Sequence, residues 1–310
     1  MRLYFFTALA LLLAAPLASA QQCTTQVAVN AFNSRTKDVL YGLTPEDFDA
    51  TAGHLQLRVS AVKPVFRNRV LVLLDAGSNP EKASLKEMAQ LVQEAPPGMP
   101  VAFGIFAHRV SLTRGFITDP DRLASSIKHV LAESPGIGEG TDLNDALLEA
   151  LATFGRHRAG DTILLVTSGA GAESRRTMRR LHNEFRRHGT RLQLLMGLWS
   201  SPASGSTGVA GLFSAWDAAD RFSSKLIALA NSTGGALMGF MNPDWLHAAS
   251  SGYMLTVLTP AGMTSARNWN LHIRDAGNDV PPAALFYPEQ IGPCSAPVMA
   301  SLPEKAKPRP

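Results

Sequence analysis

The sequence predicts an α/β fold: a doubly wound, mostly parallel sheet inserted into a small antiparallel β domain formed by both chain ends. Three observations carry this prediction. The run Val70-Leu71-Val72-Leu73-Leu74 is apolar without a break, too short for a typical helix and ended by Asp75 and a small-residue turn, the pattern of a strand buried on both faces. From there to Phe240, helical periodicities alternate with further short apolar runs, which is the grammar of a parallel sheet with crossover helices. On either side of that span the apolar period drops to two, as in half-buried antiparallel strands.

The chain opens on MRLYFFTALALLLAAPLASA, with one positive charge, an apolar run interrupted by Pro16 and the small-x-small sequence Ala18-Ser19-Ala20 before Gln21. This is the layout of a secretory signal peptide over residues 1–20, with Ala20 the last residue removed. Gln21-Gln22 before Cys23 are unlike the small residues that precede a lipidated cysteine. No later segment is long and apolar enough to span a bilayer, so no transmembrane segment is expected after cleavage, and the expected location is periplasmic or extracellular. The net charge of +4 over 310 residues is too mild for a nucleic-acid protein.

Residues 21–66 are the expected N-terminal part of the β domain. Val27, Val29 and Ala31 alternate with Gln26 and Asn30, and Leu55, Leu57 and Val59 with Gln56 and Arg58. Between them GLTPEDF, Gly42 to Phe48, places Thr44 as an N-cap ahead of Pro45. Residues 249–294 are the expected C-terminal part, where Tyr253, Leu255 and Val257 alternate, as do Trp269, Leu271 and Ile273. Cys23 and Cys294 are the only two cysteines. In an oxidising compartment they are expected to form a disulfide, two free thiols being the alternative. Closing so long a loop is worth on the order of 5 kcal/mol in the chain-entropy model. The Pro- and Lys-containing residues 295–310 have no periodicity and are expected to form a disordered tail.

Residues 67–248 are the expected α/β domain. After the first strand, helices are predicted at Glu81 to Glu94, Asp121 to Ala132, Asp142 to Phe154, Ser174 to His188 and Arg221 to Ala230. Strands are predicted at Val101 to Phe106, Val110 to Thr113, Thr162 to Thr167, Leu192 to Leu198 and Ala236 to Phe240. In such sheets ligands sit beyond the carboxyl ends of the strands, so Asp75 is a candidate cation ligand.

GLTPEDF, RVLVLLDAGSN, GEGTDLNDAL, ILLVTSG and Tyr253-Met254-Leu255 together resemble the bacterial secreted proteins that carry a von Willebrand factor A-related (VWFA-related) domain, over about Gln26 to Asp275. The resemblance implies a Rossmann-like, vWA-like core with a metal-ion-dependent adhesion site, where an Asp-x-Ser-x-Ser turn, a Thr and a second Asp offer oxygens to a hard divalent ion. Asp75 matches the first position and Thr141 the threonine. The two serine positions hold Gly77 and Asn79, and the third-loop position holds Ser168. The site thus departs from the pattern at three ligands, and a degenerate site is expected. A rewired site drawing on Asp75, Ser78, Asn79, Thr141 and Asp142, with Glu173 in reach, would take magnesium, calcium or manganese. Asp142 equally suits the N-cap of its helix.

No cofactor is expected apart from that cation. Enzyme signals are weak: Ser168 lacks a Gly-x-Ser-x-Gly elbow, His182 and His188 do not share a helix face, and Gly136 to Gly140 lack a phosphate-loop lysine. The expected function is an exported, non-enzymatic protein-binding or scaffold module. A protein partner would meet the rim loops Ala76 to Pro80, Gly138 to Asp142, Ser168 to Glu173 and Ser200 to Gly211. The stretch Glu173 to Arg191 adds Arg175, Arg176, Arg179, Arg180, Arg186, Arg187 and Arg191 around the apolar stripe of Met178, Leu181 and Phe185. Those arginines either make weak contact with an anionic surface or form the solvated outside of a helix. No aromatics interleave with them, which argues against single-stranded nucleic acid.

Overall fold

The computed structural model describes residues 22–33, 39–66, 68–77, 82–133, 142–156, 158–167, 175–195, 224–238, 245–260, 262–274 and 283–293. The expected signal peptide, the tail, Cys294 and the segment Ser200 to Gly211 lie outside them. In chain order the strands are β1 (Gln22–Asn33), β2 (Phe48–Ala52), β3 (Leu55–Phe66), β4 (Val70–Asp75), β5 (Val101–Phe106), β6 (Val110–Leu112), β7 (Thr162–Val166), β8 (Arg191–Leu195), β9 (Leu237–Met238), β10 (Ser251–Pro260), β11 (Arg267–Asn268), β12 (Asn270–Ile273), β13 (Ala283–Phe286) and β14 (Gln290–Ile291). The helices are α1 (Lys82–Gln93), α2 (Pro120–Ala132), α3 (Leu143–Thr153), α4 (Arg175–His188), α5 (Ser224–Ser232) and α6 (Trp245–Ser250).

The central sheet runs β6-β5-β4-β7-β8-β9, all parallel except the antiparallel edge strand β6. Strands β4, β5, β7 and β8 are buried along their whole length, because successive side chains point to opposite faces and both faces are covered. Val70, Val72 and Leu74 of β4 pack with Leu85, Met88 and Val92 of α1, and with Leu123 and Ile127 of α2. Leu71 and Leu73 point the other way, onto Leu147 and Leu151 of α3 and Leu181 and Phe185 of α4. The short helix α6, which the sequence reading did not identify, adds Leu246 and Ala249 to the first face.

A second sheet, β12-β2-β3-β10-β1-β13, is antiparallel throughout and takes its strands from residues 22–66 and 251–286. Val27, Val29, Leu57, Leu255, Val257 and Trp269 are among the residues of its own core. Along β10 burial alternates residue by residue from Tyr253 onward, as the period of two predicts. The GLTPEDF segment forms a 3-10 turn at Pro45–Asp47, in which the Asp47 carboxylate accepts from both the backbone N–H and the hydroxyl of Thr44.

The amino-terminal edge of the parallel sheet is closed by an ion pair. Arg69, leading into β4, donates through Nε and Nη2 to the two oxygens of Asp161, which leads into β7. Its remaining donors reach the carbonyls of Phe154 and Arg156, and its Cζ lies 5.1 Å from the Phe116 ring centre. Arg191, expected among the exposed arginines of the basic stretch, instead begins β8 and is 1% exposed.

Candidate functional site

The strand order reverses direction between β4 and β7, and in a doubly wound sheet the crevice at the carboxyl ends of such strands is where ligands bind. Leu74 pairs with Val166 at the ends of these strands. The next residue on each, Asp75 and Thr167, therefore face one another across the crevice. Thr167 donates its hydroxyl to Asp75 Oδ2 at 2.6 Å. The other carboxylate oxygen, Oδ1, accepts the backbone N–H of Gly77 at 3.0 Å, an Asx-type turn of the kind that small residues after a strand favour. Both side chains are fully buried. The Asp75 carboxylate thus links two strands and shapes the turn that leaves β4.

Asp142 stands on the same rim. Its backbone N–H donates to Ala107 O at 3.0 Å, next to Phe106 O, which accepts from Ala76 at 2.7 Å. The backbones after β4 and before α3 therefore hang on adjacent carbonyls at the end of β5. The Asp142 side chain caps α3, accepting from the N–H of Asp145 at 3.3 Å. Beside it a cavity of about 400 Å3 is lined by Asp142, Asp145 and Glu149 on one wall and by His108 and Arg109 on the other.

Of the residues named from the sequence, Asp75 and Asp142 are described, and Ser78, Asn79, Thr141, Ser168 and Glu173 lie outside the described residues. Among the described residues, the Asp75 carboxylate accepts two hydrogen bonds, and Gly77, two residues on, carries no side-chain oxygen. Also among the described residues, no group of three or more His, Cys, Asp or Glu side chains could hold a metal ion. Thr167 escaped the sequence reading, which looked one residue on, to Ser168. The pairing of β4 with β7 in a register of Val70 with Thr162 sets Asp75 opposite Thr167.

No helix among the described residues is long and apolar enough to cross a membrane. Tyr253, in β10, anchors the segment between β1 and β2. Its hydroxyl donates to Leu40 O at 2.8 Å and accepts from Leu43 N–H at 3.4 Å. Burial raises its pKa above the ordinary 10.0, against the opposing pull of the Leu43 N–H.

No protein-family model matches the chain, and no curated protein matches it by sequence. Among solved structures it is similar to an aerotolerance-related membrane protein from Bacteroides fragilis, at 16% identity and a TM-score of 0.42, over 59% of this chain and 96% of that one. It is also similar to proximal thread matrix protein 1 of the mussel byssus with a zinc-occupied MIDAS motif, at 17% identity and a TM-score of 0.43, over 63% of this chain and 50% of that one. A third is the SpRpn10 VWA domain, at 10% identity and a TM-score of 0.34, over 56% of this chain and 88% of that one. These neighbours are of the von Willebrand factor A type, the type that the sequence resembles, and at such scores the fold rests on the strand order itself.

Proposed function

We propose that this chain is an exported, non-enzymatic binding or scaffold module whose vWA-like rim recognises a protein partner without a divalent cation. The observation that carries this is the engagement of Asp75: both carboxylate oxygens accept hydrogen bonds from the protein, so the residue that would anchor an ion serves the fold. In this reading residues 67–248 form the α/β domain, residues 21–66 and 249–294 form the β domain that receives it, and a Cys23–Cys294 disulfide staples the latter. The burial of Cys23 in β1 supports the staple, as does the lack of a free thiol among the described residues. The partner surface is the carboxyl rim, where the carboxylates of Asp142, Asp145 and Glu149 stand opposite Arg109. After cleavage of residues 1–20 the protein acts in the periplasm or outside the cell.

Isothermal titration with magnesium, calcium and manganese tests the claim. The expected result is no saturable heat with any of the three. Micromolar binding that Asp75→Ala abolishes would establish the alternative, a cation-dependent adhesion module with rewired ligands. That alternative draws support from the shared suspension of the Asp75 and Asp142 loops on Phe106 O and Ala107 O, which holds two acidic residues on one rim.

A further inference from the structure

Among the described residues, strand β1 is open along part of one edge. Its residues Gln22 to Val29 pair with β10 on one side, whereas on the other side β13 pairs only with Asn30 to Asn33. Two oxygens fix the direction of the main chain. Cys23 O accepts the Thr259 hydroxyl at 3.4 Å, and Val29 O lies 2.8 Å from a Cβ built on Gly252, so both face β10. Main-chain groups turn to alternate sides along a strand, and Thr24, Gln26 and Ala28 therefore direct their N–H and C=O to the open edge.

The ladder stops for a reason of sequence. Continuing the register of β13 would set Pro288 opposite Ala28, and proline has no N–H to give. Pro288 O instead accepts the indole N–H of Trp269 at 2.6 Å, Glu289 donates its N–H to Ser232 O at 3.2 Å, and Gln290 and Ile291 pair with β11. The chain after β13 thus leaves β1 and forms the far wall of a cleft of about 310 Å3, whose near wall is Thr25 to Ala28. Phe185 of α4 flanks the cleft, Ala159, Ala266 and Pro293 add small or apolar lining, and the charged side chains Arg186 and Glu289 are of opposite sign. Ala28 is 7% exposed, and no described residue continues the ladder to its N–H and C=O, although buried main-chain groups are as a rule paired.

We propose that this cleft takes an extended segment of a partner polypeptide, added as a strand to the open edge of β1. Thr24, Gln26 and Ala28 offer N–H and C=O groups about 7 Å apart, a spacing that another extended main chain matches and a compact small molecule does not. The volume is at the small end for ligand sites, which start at about 300 Å3. With charges of both signs at its border, such a cleft selects a segment of small, uncharged side chains such as Ala, Ser, Thr and Val. The site lies beside Thr190 and Arg191 at the start of β8, at the opposite edge of the parallel sheet from Asp75, and does not depend on the rim being a partner surface.

The test follows single main-chain amides of the purified protein by hydrogen exchange in NMR spectra. Without peptide, the amides of Gln26 and Ala28 are expected to exchange at least about tenfold faster than those of Thr25 and Val27, which face β10. An array of acetylated, amidated hexapeptides of Ala, Ser, Thr and Val is then screened, and its strongest binder is added to saturation. Exchange at Gln26 and Ala28 is expected to slow at least about tenfold, with Thr25 and Val27 unchanged. Methylating alternate amide nitrogens of that peptide should raise Kd at least about tenfold for one set of alternate residues and little for the other, because only one edge of an added strand meets β1. Gln26→Pro removes an N–H that β10 does not use and should abolish binding. Should that variant fail to fold, the pair of methylated peptides carries the same test. Amides of Gln26 and Ala28 already protected in the free protein would mean that the chain covers this edge itself and would overturn the proposal. An array without a binder, or binding indifferent to both methylations, would overturn it too.

Discussion

Thr167 reaches across the point where the strand order reverses and donates its hydroxyl to Asp75 at 2.6 Å. A hydroxyl placed where it could help bind a ligand instead joins the ends of β4 and β7. This makes the floor of the crevice a fixed part of the sheet.

Removing that hydroxyl without changing shape should therefore cost stability. Thr167→Val is expected to lower the unfolding free energy by about 2 kcal/mol, the usual worth of a buried hydrogen bond to a carboxylate. Thr167→Ser should recover most of it. Urea unfolding midpoints measure both, and a valine variant as stable as wild type would show that the bond does not hold the strand ends.

The two kinds of ion pair in the molecule should separate clearly. Arg69 and Asp161 are 14% and 2% exposed, so Asp161→Asn leaves a partly buried guanidinium without its counter-charge and is expected to cost about 3 kcal/mol. Arg274 and Asp49 are 55% and 45% exposed, and Asp49→Asn should cost under about 1 kcal/mol. Paired chemical denaturation curves give both numbers, and equal costs would contradict the assignment of Arg69 as the closure of the sheet.

Tyr253 predicts an alkaline limit. Its folded pKa is raised, so above pH 10.0 the unfolded chain releases this proton first and the native state binds more protons. The contribution is whole below the unfolded value and is lost as pH rises through the folded one. Tyr253→Phe should flatten the decline in stability above pH 10.0 while costing about 1 kcal/mol near neutrality through the lost bond to Leu40. Melting temperatures from pH 8 to pH 11 in both proteins check this.

The helix α4 exposes Arg179, Arg180, Arg186 and Arg187 around a stripe buried through Leu181 and Phe185. Contact with an anionic surface through Arg179 and Arg180 should be weak and screened, detectable on phosphatidylglycerol vesicles at about 20 mM salt and absent at about 150 mM. Retention at the higher salt that disappears in Arg179→Ala/Arg180→Ala would raise the surface to a specific site.

The α/β core was legible because its strands are buried on both faces. Unbroken runs such as Val70 to Leu74 and Thr162 to Val166 are too short for a helix and too apolar for a loop, and helices such as α2 show their apolar stripe at helical spacing. The helix α6 was not legible, since the six residues WLHAAS are too few to show a period. Arg191 was misread for a related reason. An arginine following Gly189 and Thr190 resembles a solvated flank, and only tertiary contacts with Gly160 and Ala249 show it to be buried. At the rim, Asp75 and Asp142 were found from local pattern, and Asp142 acts as the helix cap that was one of its two expected roles. The bond from Thr167 depends on strand register, which local pattern alone does not display.

The most direct test is a crystal structure of the protein grown with manganese, whose anomalous signal marks bound metal. Asp75 is expected still to accept from Thr167 and Gly77, with no anomalous peak at its carboxylate. A six-coordinate ion seated on Asp75, with Thr167 turned away, would contradict it.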